Sequence, residues 1–310
     1  MKIVEPSFEI QEYFDTLSIA VRLEECGRVC YKSEDAIAED SAIPFVTRIA
    51  ARGHSSVFEM AVVSFSITCH PDHVLELLSC QPKFLVIDRI DNGMVVTGSI
   101  RTFRELYKNH FHNQLVNDLV CVLAAKEPYL FEDIFNPDKA LELDPQVNVK
   151  KMSLLEVDSL PEDLHMRHRF VSVRFIVSRA VSHELVRHRV CSFLQESQRY
   201  CRYSQDKFDN QVSFIKPVFF SKETKEYNLW KEAMELTEAH YLELLETTSP
   251  QAARTVLPNS CKTEIIVYCN LSEWQHIFAL RTSQAAEPSM REVMIPLHME
   301  MEKRFPAISS

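Results

Sequence analysis

The sequence contains very little glycine. Only four glycines occur in 310 residues, namely Gly27, Gly53, Gly93 and Gly98. Neither a G-x-G-x-x-G nor a G-x-x-x-x-G-K-[ST] motif can be drawn from them, and these are the loops through which Rossmann and P-loop proteins bind nucleotide phosphates. Any phosphate that this chain binds must therefore be held by arginine, lysine, histidine, hydroxyl groups or helix N-termini.

Other absences narrow the class of protein. The longest uncharged run, Met60 to Pro71, is too short to span a bilayer. The first ten residues carry Glu5 and Glu9 and no long apolar stretch, so no signal peptide is predicted. The nine cysteines form no C-x-x-C pair, which favours reduced thiols over a disulfide framework. We therefore expect a cytoplasmic protein without a membrane partner.

The charge balance argues against a nucleic-acid polymer as partner. The net charge is −10 and the pI about 5.7, so general affinity for DNA, RNA or an anionic membrane is not expected. An RNA-binding module built on the two R-H-R clusters, 167–169 and 187–189, is one alternative. It lacks the interleaving of basic and aromatic residues that such modules use.

Hydrophobic patterning predicts a single α+β domain over residues 1–310. Alternating residues predict strands at Val63–Cys69 and Val171–Val177. Short apolar or β-branched runs predict three more at Met94–Thr97, Val212–Ile215 and Thr263–Cys269. Ser56–Glu59 fits either a capping box or the approach to a strand. Helices are predicted at 17–29, 45–52, 98–109, 115–125, 178–186, 227–247, 271–281 and 288–304.

Two further expectations concern less regular features. The acidic stretch Phe131–Leu164 is predicted to be irregular surface structure. The longest helix, 227–247, should bury an apolar stripe formed by Leu229, Ala233, Leu236, His240 and Leu244.

Residues 187–200 form the most unusual segment. Three Arg, one His, two Ser, two Gln, one Glu and one Tyr fall within these 14 residues, directly after the predicted buried strand and its short helix. A polar cluster packed against a core is costly unless a ligand or partner satisfies it. The alternative is a solvated loop with ion pairs.

The order of residues in this segment resembles the signature of the flavin-dependent thymidylate synthases, the ThyX family. That signature is R-H-R followed at fixed spacing by Ser197 and Arg199. The second R-H-R, at 167–169, does not fit, because Val177 stands where the serine is required. Further blocks resemble the family in the same order: Gly53–Glu59, Arg254–Pro258, Asn270–Arg281 and Glu287–Glu292.

The resemblance covers residues 1–69 and 171–304 and leaves about 70–168 as a family-variable, α-rich insertion. It implies a ThyX-like fold, with an antiparallel sheet packed with helices. It also implies reductive methylation of dUMP to dTMP by methylenetetrahydrofolate, with hydride from reduced FAD, NADPH as electron donor, and a homotetramer with shared active sites. The alternative is a flavin- and nucleotide-binding reductase or regulator that has lost methyl transfer. Its one support is Ser272, at a position where many members have Arg.

The resemblance also implies the roles of individual residues. Arg281 and His54 would be catalytic, with Arg281 stabilising negative charge on the pyrimidine. FAD would be bound by Ser56, Arg187, His188, Arg189, Gln195, Asn270, Ser272 and His276. dUMP would be bound by Glu184, Arg187, Gln195, Glu196, Ser197, Gln198, Arg199, Arg254 and Arg281.

Several of these positions have a second interpretation from the residues alone. Arg281 shares a helical face with apolar side chains and needs an anionic partner, either bound nucleotide or a core glutamate. His54 follows a glycine and fits a helix C-terminal cap as well as a flavin or folate contact. Cys191 suggests a nucleophile, but the family commonly has alanine there, so we interpret it as packing. No metal site is predicted, since Cys26/Cys30 and His110/His112 lack a second ligand pair.

Overall fold

Two four-stranded antiparallel sheets and one short parallel pair carry the fold in the computed structural model, which describes residues 1–136, 138 and 140–309. The strands are β1 Lys2–Val4, β2 Ser7–Ile10, β3 Val62–Thr68, β4 Val86–Ile90, β5 Gly93–Ser99, β6 Asn148–Lys151, β7 Phe170–Ser178, β8 Ser192–Gln195, β9 Ser213–Ile215 and β10 Lys262–Asn270.

The α-helices of the described residues lie between these strands or after the last of them, often two in succession. They are α1 Ile19–Tyr31, α2 Ala42–Ala51, α3 Pro71–Ser79, α4 Ile100–His110, α5 Gln114–Lys126, α6 Leu154–Asp158, α7 Glu162–His168, α8 Arg179–Leu185, α9 Lys225–Thr247, α10 Pro250–Ala253, α11 Leu271–Arg281 and α12 Pro288–Arg304.

The first sheet has the order β2-β7-β10-β8 and the second the order β4-β5-β3-β6, and both are antiparallel. β7 and β10 pair along their whole length, from Phe170 opposite Asn270 to Ser178 opposite Lys262. One face of this pair packs on α8, α11 and α12, and forms one apolar cluster with them. The mixed helix and sheet class predicted from the sequence is thereby confirmed, and strands β1 and β9 add a parallel pair.

Residues 70–168 do not form a separate helical appendage. They supply β4, β5 and β6, which pair with one another or with β3 to complete the second sheet. Strand β3 itself precedes residue 70, so the sheet joins both parts of the chain. The segment contains helices α3 to α7, as the prediction of an α-rich insertion requires, but it also contains three strands.

The predicted irregularity of Phe131–Leu164 is wrong in part. Four of these residues form the edge strand β6, whose Asn-Val-Lys-Lys sequence places charge on its solvent face. Helix α6 follows and begins at a capping box formed by Ser153 and Glu156. Because these two elements have only four and five residues, they are too short to show a clear hydrophobic periodicity.

The apolar stripe predicted for α9 is also wrong in most of its residues, although Leu244 is partly buried as predicted. Leu229 and Leu236 are 57% and 58% exposed. The buried face is formed instead by Tyr227, Met234, Tyr241 and Leu245, which pack towards Tyr203 and Phe214. Two tyrosines, one methionine and one leucine therefore form the buried face, which is rotated from the predicted stripe.

Candidate functional site

The motif segment, residues 187–200, begins in a turn after α8, continues through β8 and ends in a second turn. Strand β8 lies at the edge of the first sheet, with Gln195 opposite Ile265. The Gln195 amide donates to Ser182 Oγ at 2.8 Å and to Thr263 Oγ1 at 3.1 Å. These bonds fix the second half of the segment against the sheet.

Arg281 lies at the end of α11 and joins that helix to the start of the motif segment. Its Nη1 donates to Glu184 Oε2 at 2.7 Å, and its Nη2 to the Glu184 carbonyl at 3.2 Å. Its Nε donates to His188 Nε2 at 3.0 Å. We call Glu184, His188, Glu273, His276 and Arg281 the arginine cluster.

Arg281 therefore has a glutamate partner within the chain, as the alternative predicted, but the Glu184 side chain is 39% exposed and does not belong to the core. Glu184 on α8 faces this arginine directly, and a contact between Arg281 and bound nucleotide stays a prediction. Glu184, predicted to contact dUMP, holds the guanidinium in the single chain. The apolar face shared by Arg281 is as predicted, since Trp274 and Phe278 are buried.

The contacts of His188 determine its tautomer. An imidazole nitrogen that accepts from arginine carries no proton, so the ring proton lies on Nδ1. That nitrogen faces Glu273 Oε1 at 3.6 Å. His188 is buried and therefore has a fixed orientation.

Three members of the arginine cluster could hold a metal by position alone. His188, Glu273 and His276 each offer a ligand atom, and these atoms lie within 4.8 Å of one another. Arg281, however, occupies one nitrogen of His188 and adds positive charge. The hydrogen bond from Arg281 therefore competes with metal binding at this nitrogen.

The remaining residues predicted to bind FAD fall into two groups. Arg187 and Arg189 are exposed on the turn, and their guanidinium groups have no partner among the described residues. Asn270, in contrast, uses both ends of its amide: Oδ1 caps α11 through Glu273 N, and Nδ2 donates to the Arg167 carbonyl at 2.8 Å. Ser272 lies half-buried in the first turn of α11.

His54 lies in a different place, at the end of α2. Gly53 adopts φ +70°, and the amides of Gly53 and His54 donate back to the Ala50 and Ile49 carbonyls. The backbone of His54 thus takes part in the helix cap, while its side chain does not. The His54 Nδ1 and the Tyr31 hydroxyl are instead 3.0 Å apart.

A cavity of about 420 Å³ opens beside His54. The predicted residue Ser56 lies on its wall, together with Leu194 and Tyr200 of the motif segment. Tyr31 and Arg101 also line it, and sequence reasoning did not single them out. Nothing local marks Tyr31 or Arg101, because only the packing of α1 and α4 brings them to His54.

The predicted phosphate ligands follow β8. Ser197 Oγ accepts from the Arg199 amide at 3.3 Å, and the Arg199 guanidinium donates to Gln251 Oε1 at 3.3 Å. Gln251 precedes Arg254 by three residues, so Arg199 lies near the turn that carries this second arginine. Gln198 donates to the Cys261 thiol at 3.4 Å.

Glu196 is buried, unlike the predicted phosphate ligands that follow β8. It is 2% exposed, accepts from Lys262 Nζ at 2.8 Å and from the Tyr203 hydroxyl at 2.8 Å, and so already has protein partners for both oxygens. Lys262 also contacts Glu264, which pairs with Lys32 and Arg174. We call Lys32, Arg174, Glu196, Lys262 and Glu264 the buried charge network.

Cys191 is buried beside α11. Its Sγ lies 4.0 Å from Glu273 Oε1, and burial raises the pKa of the neighbouring Cys269 thiol well above its ordinary value. The Glu273 carboxylate is thus the acceptor that faces the Cys191 thiol, and the packing role of Cys191 stays a prediction.

Comparison with known proteins identifies the region that contains the arginine cluster. Residues 164–307 match the family described as thymidylate synthase complementing protein. The matched region includes the whole motif segment, Arg254 and Arg281. The resemblance found in the sequence is thereby confirmed over these residues.

Relatives of known function agree with the family match. The chain is 38% identical over 128 residues to a flavin-dependent thymidylate synthase of Pyrococcus furiosus, covering 41% of this chain and 52% of that protein. It is 37% identical over 122 residues to the enzyme of the same name from Geobacter sulfurreducens, covering 39% and 51%. The chain thus spans about half the length of the curated relatives it matches.

A solved structure of a UMP/dUMP methylase from Streptomyces cacaoi aligns with 46% of this chain and 74% of that one, at 20% identity and a TM-score of 0.40.

Within the described residues, no helix is both long and apolar enough to cross a membrane.

Proposed function

We propose that this chain is a flavin-dependent thymidylate synthase with a ThyX-like fold, which methylates dUMP to dTMP with methylenetetrahydrofolate. FAD is the proposed flavin and NADPH the proposed electron donor. The observation that carries the proposal is the arginine cluster, because Arg281, Glu184 and His188 meet inside the region that matches the family. Residues 70–168 are proposed to be an insertion within one catalytic domain, 1–310.

The hydrogen-bond donors on the turn 187–189 fit a flavin dinucleotide. Arg187 and Arg189 offer guanidinium groups without protein partners, and such forks bind pyrophosphate oxygens in pairs. His276 and Ser56 are exposed hydrogen-bonding side chains available to the rest of the cofactor. Reduced flavin supplies the hydride when bound. Asn270 supports this site by capping α11.

The nucleotide is proposed to be bound by arginines of two elements. Arg199 and Arg254 would hold the 5′-phosphate together with the Ser197 hydroxyl. Ser197 and Arg199 lie in the turn after β8, and Arg199 contacts Gln251, three residues before Arg254. Arg281 would stabilise the negative charge that develops on the pyrimidine. Glu184 and His188 hold its guanidinium in a fixed orientation, so that this charge is in place before the reaction.

The synthase is tested by combining the purified chain with dUMP, methylenetetrahydrofolate and NADPH and measuring dTMP. We expect dTMP, a flavin absorption spectrum and FAD in the denatured extract. Flavin with NADPH oxidation but without dTMP would instead support the reductase or regulator. A chain that contains no FAD, and does not bind added FAD at micromolar concentration, would contradict both functions.

We also propose a homotetramer in which the turn 187–189 of one chain meets His54 and Ser56 of another. Within one chain, the cavity beside His54 takes Leu194 and Tyr200 from the motif segment, and not the arginines of the turn. The exposed Leu229 and Leu236 of α9 offer apolar surface for a second copy. Light scattering coupled to size-exclusion chromatography should give an oligomer, and an active monomer would contradict the shared site.

A further inference from the structure

The second R-H-R, residues 167–169, lies between the two antiparallel sheets. Arg167 and His168 both contact Asp88 of β4, at 3.0 Å each. Arg169 donates to Asp15 at 2.7 Å and to Asp158 at 3.0 Å. The proposed synthase uses none of these contacts, and they surround a cavity that contains none of its predicted residues.

This cavity has a volume of about 260 Å³ and is walled by both sheets, by α1 and by the start of α6. Phe14, Leu17, Val62, Val157 and Phe170 give it apolar walls. An apolar cavity of about 150 Å³ already holds benzene in a well-studied protein, so this one has room for a small organic molecule.

Most polar groups on the wall are satisfied within the protein. Ser64 Oγ and Thr97 Oγ1 are 2.7 Å apart, Thr97 Oγ1 and His168 Nδ1 are 2.8 Å apart, and His168 Nε2 bonds to Asp88. Arg169 donates to the carboxylates of Asp15 and Asp158. These groups therefore hold the wall rigid and leave few hydrogen bonds for a ligand.

Arg22 of α1 is the exception. Its side chain is only 9% exposed, and its Nε is buried without a hydrogen-bond partner among the described residues. Its Nη1 lies 3.8 Å from Asp15 Oδ1, beyond hydrogen-bond distance, while the other oxygen of this carboxylate, Oδ2, accepts from Arg169. The guanidinium lies 4.3 Å above the Tyr268 ring, which attracts the cation but supplies no acceptor atom for the buried N–H.

The charged side chains around the cavity carry one more positive charge than negative charges. Arg22, Arg169 and Lys151 are three cations, and Asp15 and Asp158 are two carboxylates. Arg167 and Asp88 form a neutral pair beside them. A buried cation without an acceptor is costly unless an anion accompanies it.

We propose that this cavity binds a small organic monocarboxylate, with its carboxylate on Arg22 and its apolar body along the walls. A carboxylate accepts two parallel bonds from a guanidinium and carries the single charge that the cavity lacks. The apolar walls favour it over inorganic phosphate. The site joins the 1–69 and 70–168 parts of the chain to β7, and it lies mainly outside the region that matches the family.

Benzoate is the probe, and benzamide is its neutral control of the same shape. Calorimetric titration of the full chain should give a benzoate Kd of about 1 mM or tighter, and binding of benzamide at least about tenfold weaker. Arg22→Met should abolish benzoate binding. Arg48→Met, at an exposed arginine of α2, should leave it unchanged.

Thermal unfolding separates a ligand-binding arginine from a structural one. Benzoate should raise the Tm of the parent chain and not that of Arg22→Met, and without benzoate the variant should unfold at or above the parent temperature. Should Arg22→Met fail to fold, Leu154→Trp fills the rim with Arg22 retained and should weaken benzoate binding by about tenfold or more. The proposal is overturned if the parent does not bind benzoate, if benzamide binds equally well, or if Arg22→Met keeps binding.

Discussion

Replacing Arg281 by alanine is expected to lower dTMP formation by about two to three orders of magnitude, as for loss of one preorganised donor worth about 3–4 kcal/mol. The reason is geometric: Glu184 and His188 fix the guanidinium at the start of the motif segment, where it would face the ionised pyrimidine. Arg281→Lys should also fail, because an ammonium cannot keep both partners and the planar fork. Initial rates of dTMP formation at saturating dUMP measure the effect.

Two controls distinguish this role from a structural one. FAD content and NADPH oxidation should change little in Arg281→Ala, since neither step uses the uracil ring. Arg304→Ala removes another arginine near a helix end, paired with Glu12 and exposed, and should leave dTMP formation within a few-fold of the parent. If Arg281→Ala also stays within a few-fold, then Arg281 serves only as the ion-pair partner of Glu184.

Replacing Glu264 by glutamine is expected to lower the free energy of unfolding by about 3–5 kcal/mol. Glu264 is 2% exposed and faces Lys32, Lys262 and Arg174. Removing its charge leaves these cations with Glu196 as the remaining carboxylate of the buried charge network. Urea denaturation at neutral pH measures the difference.

The pH dependence of this loss follows from the Glu264 pKa. Burial by itself raises that pKa, but Lys32 and Lys262 outweigh it and hold the value below 4.5 in the folded chain. A carboxyl group whose pKa is depressed stabilises the fold above its unfolded value and loses that contribution as pH falls through the folded pKa. The difference in free energy of unfolding between the parent and Glu264→Gln should therefore reach its largest value above pH 4.5 and decrease below it.

An exposed glutamate supplies the matched control for Glu264. Glu300 on α12 pairs with Lys303 at the surface, and Glu300→Gln should leave the free energy of unfolding almost unchanged. A loss of similar size in both variants would show that burial of the charge network contributes little.

Strands and helices with strong periodicity could be predicted from the sequence. The alternation at 63–69 and 171–177 marks β3 and β7, and the bounds predicted for α11 and α12 agree with the structure. Prediction failed at β6, where two lysines on a short edge strand hide the pattern. It also failed on α9, where burial of Tyr241 depends on Tyr203 from a distant segment.

The candidate site was only partly accessible to sequence reasoning. Spacing in the motif segment identified Arg187, Ser197 and Arg199 as a group. The partner of Arg281 could not be read in this way, because Glu184 lies nearly a hundred residues earlier and meets it only when α8 and α11 pack on one sheet. The burial of Glu196 could not be predicted either. Its position in the motif segment does not indicate that its carboxylate accepts hydrogen bonds from Lys262 and Tyr203.

The parallel pairing of β1 with β9 places the start of the chain against residues made much later. Lys2 lies opposite Ser213, and Phe8 of β2 lies opposite Phe175. At a synthesis rate of about 5–20 residues per second, the first strand waits roughly 10–40 s for its partner. On the ribosome, the N-terminal strands must therefore remain unpaired or be held by a chaperone until the second half of the chain emerges.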